Sequence, residues 1–188
     1  ILEETGCYAD FTMPSAPSDT QTRTINSMYY AVDAPDKPKS HDTGIPVTAG
    51  TQIDEGLLCI QGPLCFNTKW RKWGLVPRIE NGYLSHEIPL TDFRIELWVK
   101  QNIHVLGRDD VVFVKLYTHG TQEGNSNFLL MKGALDELFS LMESYCKDKK
   151  SLLYYTSPRQ MYNVVKGLEH NKDAQISDLL DHELTLDS

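Results

Sequence analysis

The sequence predicts an α/β fold in which parallel strands are backed by outer helices. Three observations point there. From Thr91 onward, short apolar runs alternate with capped amphipathic segments, which is the pattern of βαβ units. The run "VVFVKLYT" at 111–118 stops abruptly at His119 and Gly120, as a buried strand does where it hands over to a loop. The convincing strands number about four, whereas a closed βα barrel uses about eight over about 250 residues. The predicted architecture is therefore a partial or distorted barrel, and the shortfall suggests that an N-terminal portion is missing.

The elements follow in order. "ILEETG" reads as the last turn of a helix ending at Gly6, because glycine suits the left-handed position after a helix. "CYADFT" (7–12) reads as a first strand. Residues 13–50, rich in Pro, Ser, Thr and Asp, read as a long loop with one helical turn near "TRTINSMYY"; a loop of that length usually does something. "LLCIQ" (57–61) is a second strand closed by Gly62 and Pro63, and 67–90 is irregular. Thr91 caps a helix over 91–101, with Asp92 in its first turn. Residues 111–118 form the third strand. A stripe of Leu135, Leu138, Phe139, Met142 and Cys146 defines a helix over 132–148. "SLLYYT" (151–156) is the fourth strand. Ser157, Pro158 and Gln160 open a helix over 157–169 with a capping box. Residues 170–188 are an acidic, loosely held tail. The chain divides into one domain over 1–169 and this tail.

Composition bounds the function. The 188 residues are 40% hydrophobic and 23% charged, with a net charge of −8 and a pI near 5.2. That is enough apolar material for one core without a disulfide or structural metal. No basic excess is available to displace counterions from a nucleic acid, and the same balance argues against an anionic membrane surface. Neither nucleic acid nor membrane is expected as a partner. Cys7, Cys59, Cys65 and Cys146 form no C-x-x-C pair and read as buried free thiols in a reducing, cytoplasmic setting. The chain opens on Ile1 rather than Met, as a processed protein or a fragment would. The sequence sets no oligomeric state.

Several stretches together resemble one group within the polysaccharide deacetylase-like (NodB-like) superfamily. They are "ETGCYADFTMPSAPSDTQTRTINSMYYAVDAPDKPKSHDTG", "GPL", "PRIENG", "FVKLYTHG" and "YYTSPRQMYNVV", covering residue 3 to about 169. The resemblance is to the second half of the family domain, a distorted (β/α) barrel of NodB-like type. It implies a carbohydrate substrate and metal-dependent removal of N-acetyl groups. The family's divalent metal, zinc for example, is held by an Asp and two His from motifs that would precede Ile1, so no tightly bound metal is expected in this chain. "ADFTMPSAP" is similar to the segment lining the substrate groove, and "FVKLYTHG" to the strand whose terminal His assists catalysis. A non-catalytic relative that binds or assembles surface polysaccharide is the alternative.

Against that background the candidate residues are these. His119 is a general acid for a leaving amine or a strand-end His bonded to a backbone carbonyl. Lys115 shares its strand face and, being inside an apolar run, calls for a charged partner; Lys115 and His119 are expected at one cavity, with Asp10 or Asp42 in reach. Asp10 is a base or the cap of the next turn. His41 and Asp42 bind a metal or a sugar hydroxyl, or form a turn before Gly44. Trp70 and Trp73, with Tyr29 and Tyr30, stack on sugar rings or cover a core edge. His86, His104, His170 and His182 have no metal-ligand spacing.

Overall fold

A computed structural model describes residues 2–181. The chain is mixed α/β, and its central sheet mixes parallel and antiparallel strands. The strands are β1 (Ala9–Asp10), β2 (Met28–Ala31), β3 (Ile45–Pro46) and β4 (Leu57–Ile60), in the spatial order β1-β4-β2-β3. β1 and β4 pair in parallel, as predicted. β2 runs antiparallel to both β4 and β3. Among the described residues the strands close no barrel.

Two stretches expected to be irregular are ordered. "MYYA" forms strand β2 with all four residues buried, where a helical turn was predicted. Its aromatic residues favour a strand, and both its faces are covered, so no alternation betrays it. Part of 67–90 forms a second sheet, the hairpin of β5 (Cys65–Lys72) and β6 (Val76–Glu80). Trp73 and Gly74 turn the hairpin at φ 54° and 73°, left-handed values that suit such turns.

Two predicted strands do not form. Residues 111–118 run extended but make no ladder. They hold one parallel bridge, Tyr83 to Tyr117, and a few single bonds such as Phe113 N–H to the Ile103 carbonyl at 2.8 Å. Residues 151–156 have no strand partner; Leu152 is 84% exposed. An apolar run becomes a strand only where another backbone meets its N–H and C=O groups in succession; 111–118 has only scattered bonds of this kind, from Phe113 and Tyr117.

The helices are α1 (Asp92–Lys100), α2 (Glu123–Ser126), α3 (Ala134–Lys149), α4 (Pro158–His170) and α5 (Ile176–Leu179). The three predicted helices form within two residues of their expected bounds, and two short ones, α2 and α5, were not expected. A π-helical turn over Asn127–Met131 follows α2. Thr91 caps α1 by accepting from Arg94 N–H, and the Ser157–Gln160 capping box opens α4. Gly6 closes the opening 3-10 turn, Glu3–Thr5, in the left-handed conformation. The expectation of a loosely held tail fails for its described part. Leu179 of α5 is buried in the core against Gly167, where any Cβ would collide with it. Residues 182–188, including His182, lie outside the described residues.

One core joins the sheet to α4 through Leu58, Ile60, Val105, Val165 and Leu168. A second joins α1 to α3 through Ile95, Trp98, Ala134 and Leu138. The hairpin is tied to the second core by a buried ion pair. Glu80 and Arg94 side chains are each 2% exposed. Arg94 Nε donates to Glu80 Oε2 at 2.8 Å and Nη2 to Oε1 at 3.0 Å. Trp98 Nε1 adds a bond to Oε1 at 2.8 Å. A bidentate Arg–carboxylate pair is among the stronger polar contacts, and breaking a buried one leaves an uncompensated charge. Arg94→Ala should therefore lower the unfolding free energy by about 3–5 kcal/mol in urea titration. Arg94→Lys should recover only part, because lysine lacks the planar fork.

Candidate functional site

Three regions bring the predicted residues into place: the rim where β1 and β4 end, the loop around Asp42, and the base of the hairpin. At the rim, Asp10 Oδ1 accepts from Thr12 N–H at 2.6 Å and from Thr12 Oγ1 at 2.7 Å. That is the local cap that was expected as the alternative to a base. Ser15 Oγ donates to the Gly62 carbonyl at 2.7 Å, tying the loop after β1 to the end of β4.

Lys115 is 8% exposed and does lie under this rim. Its partners, however, are backbone carbonyls: Nζ donates to Phe11 O at 3.1 Å and Met13 O at 3.0 Å. Among the described residues no carboxylate reaches it at ion-pair distance. Burial lowers its pKa to about 8, against the opposing pull of the nearby Asp10 and Cys59 charges. The role the geometry gives it is fastening loop 11–13 over the third strand-like segment.

His119 does not share that cavity. It is exposed, and its ring meets Tyr83 edge-on at 5.4 Å and Tyr117 at 6.4 Å. No carboxylate forms an ion pair with it among the described residues. Because 111–118 is no regular strand, the alternation that would put 115 and 119 on one face does not hold. The sequence reading missed what surrounds His119. Asn125 is fully buried. It donates to Tyr83 Oη at 3.1 Å and to the His119 carbonyl at 3.3 Å, and its Oδ1 lies 3.0 Å from His86 Nδ1. Tyr83 and Tyr117 stack at 5.1 Å. No hydrophobic period marks "NGYLSHE" or "EGNS", so only the density of amide and ring groups in them could have signalled this cluster.

His41 and Asp42 sit on a 3-10 turn, Ser40–Asp42. Asp42 Oδ1 accepts from Arg23 N–H at 3.0 Å and lies 3.3 Å from Lys39 Nζ. Desolvation works to raise its pKa, but the Arg23 N–H and the Lys39 hydrogen bond and charge hold it below the ordinary value. The His41 carbonyl accepts from Tyr29 Oη at 2.6 Å. This pair fastens one loop to another. Beside it lies a hollow of about 350 Å³ whose lining mixes polar residues such as Asp19, Arg23 and Lys39 with Ala16, Pro17, Ile25 and Leu64.

The four aromatics do not cluster. Tyr29 and Tyr30 are core residues at 2% and 4% exposure. Trp73 stands at the hairpin turn. Trp70 lines an open cleft of about 290 Å³ with Asn67, Lys69, Pro89, Thr91, Phe93 and Arg94. Arg78 lies over the Trp70 ring at 4.2 Å and Lys69 over Phe93 at 4.1 Å.

Among the described residues no three His, Cys, Asp or Glu side chains converge as metal ligands. The cysteines are free; Cys59 is buried, but Cys7 is exposed, contrary to expectation. Among the described residues no helix is long and apolar enough to cross a membrane. Compared with known proteins, the chain matches no family model, no curated protein and no solved structure.

The Lys115 site yields a pH test. Its folded pKa lies near 8, below the ordinary 10.5. Between those values the unfolded chain binds more protons than the folded one, so stability rises with pH through that window and the desolvation penalty is full below it. Unfolding free energy should climb from about pH 7.5 to 9.5 by about 2 kcal/mol more in the wild type than in Lys115→Met. Parallel pH profiles for the two proteins would contradict it.

Proposed function

We propose that this chain binds carbohydrate, as part of a polysaccharide deacetylase-like domain. The observation that supports the reading is the cleft at the base of the hairpin. Trp70 and Phe93 give it apolar ring surface. Asn67, Lys69 and Thr91 bring amide, ammonium and hydroxyl groups to the same cleft. A pyranose has apolar C–H faces and a polar rim, and a site combining aromatic surface with a few polar groups suits both. In this reading Trp70 is the residue that contacts substrate. Trp73, His41 and Asp42 lie outside this cleft.

Removal of an N-acetyl group is the second reading, and it rests on the resemblance of "FVKLYTHG" and "ADFTMPSAP" to family motifs. His119 is accessible to a ligand, as a general acid must be, but it has no carboxylate to orient it. The metal-dependent reaction calls for ligands that the described residues do not gather.

Titration with N-acetylated oligosaccharides, followed by calorimetry, tests the first reading. Trp70→Ala should weaken binding by about tenfold, the scale of one lost stacking contact, with an unchanged melting temperature. Equal affinity in Trp70→Ala would remove the cleft from the proposal. His119→Ala should leave binding intact. Acetate release that disappears in His119→Ala would move the second reading ahead of the first.

A further inference from the structure

The β5–β6 hairpin brings two features together on one projecting element. The first is charge. Lys69, Arg71, Lys72 and Arg78 all lie on it, in a protein of net charge −8. None of the four forms an ion pair with a described residue. Glu80, the hairpin's one acid, is consumed by Arg94 in the interior. The second is apolar exposure at the turn. Trp73 is 79% exposed, Leu75 77% and Val76 52%. A Cβ added at Gly74 would meet nothing within 4 Å, so the turn stands clear of the remaining chain. Lys72 Nζ lies 4.4 Å over the Trp73 ring, so charge and apolar surface adjoin at the tip.

We propose that this hairpin tip docks on an anionic lipid bilayer, with Trp73, Leu75 and Val76 entering the interface and Lys69, Arg71, Lys72 and Arg78 meeting the headgroups. Charge complementarity selects an anionic partner, because among the described residues the four cations form no ion pair, and the one acid whose titration Lys69 is seen to affect, Glu96, is itself paired with Lys100. The apolar tip selects a bilayer over a soluble polyanion. Leu75 and Val76 offer neither a stacking face nor a hydrogen bond to a glycan or a nucleic acid, whereas a bilayer interface accepts aliphatic side chains and tryptophan together. Basic residues just behind such a tip add attraction to acidic lipids. The buried Glu80–Arg94 pair fixes the hairpin base, so the tip is presented without a folding step. This departs from the expectation drawn from net charge, which averages away a local cationic patch. Its apolar tip is separate from the cleft of the proposed carbohydrate site, since neither Trp73 nor Leu75 lines it; Lys69 is the residue the two share.

Sedimentation of the whole chain with phosphatidylcholine vesicles, with and without phosphatidylserine, tests the proposal. Binding should favour the serine-containing vesicles by about tenfold or more and fall as salt is raised. The double variant Trp73→Ala/Leu75→Ser should bind them about tenfold more weakly while keeping the wild-type melting temperature, since both side chains are exposed. Brominated lipids should quench tryptophan fluorescence in the wild type and much less in Trp73→Phe. No sedimentation with anionic vesicles overturns the proposal. So does equal binding by the double variant, or quenching that persists in Trp73→Phe. Tight binding to heparin without binding to vesicles identifies a soluble polyanion as partner and overturns it as well. Oligosaccharide affinity measured on the same variants separates failure here from failure of the carbohydrate reading.

Discussion

Glu80 is a carboxylate with almost no access to water, and much of the local geometry follows from what satisfies it. Its two oxygens take bonds from Arg94, Trp98 and the Gly82 N–H. Those donors come from α1 and from the loop after the hairpin. Arg94 then spends its remaining N–H groups on the Tyr83 and Pro89 carbonyls. One ion pair therefore fixes the hairpin base, the course of 82–89 and the position of α1. A buried pair of this kind adds little net stability compared with an apolar replacement, but it tolerates only one arrangement. The cleft lined by Trp70, Phe93 and Arg94 is a consequence, because its two walls are the elements that Glu80 and Arg94 hold together.

The same logic explains the rim. A lysine under the sheet edge cannot remain unpaired. Lys115 meets two carbonyls at the start of the long loop, and Ser15 adds a third attachment to Gly62. Asp42 performs the parallel task further along, joining Arg23 and Lys39. Polar residues that stand out as chemical candidates in the sequence are thus largely engaged in holding an irregular 13–50 segment to the sheet. A segment with few strands has many backbone groups to satisfy, and side chains supply the partners that a ladder would have given.

The parts of the fold that were legible in the sequence are those written locally. Thr91, Ser157 and Gln160 mark helix starts because capping is a contact between neighbours along the chain. β1 and β4 were legible as short apolar runs, and their parallel pairing followed from the alternation. Residues 111–118 and 151–156 look the same in composition, but a strand is a property of two segments, and no periodicity in one reveals whether the other is there. β2 was lost for the opposite reason: with both faces covered, "MYYA" shows no alternation. Of the site, Lys115 was rightly expected to be buried and in need of partners. The identity of the Lys115 partners was not legible, since backbone carbonyls carry no sequence signature. Nor was the Asn125 cluster, whose members come from turns.

Charge makes the last step. A net value of −8 describes how the protein behaves at long range, where screening merges its charges within about 8–10 Å at ordinary ionic strength. A partner in contact feels only the side chains within that distance. On the hairpin those are cationic and lie beside apolar ring surface, because the fold has taken the local acid, Glu80, into the interior to meet Arg94. The ion pair that builds the Trp70 cleft therefore also unbalances the surface above it. Replacing both Glu80 and Arg94 by apolar residues would leave the charge of the hairpin surface almost unchanged but free its base. Presentation of the tip and integrity of the cleft would then fail together, while a variant confined to Trp73 and Leu75 would affect the tip alone.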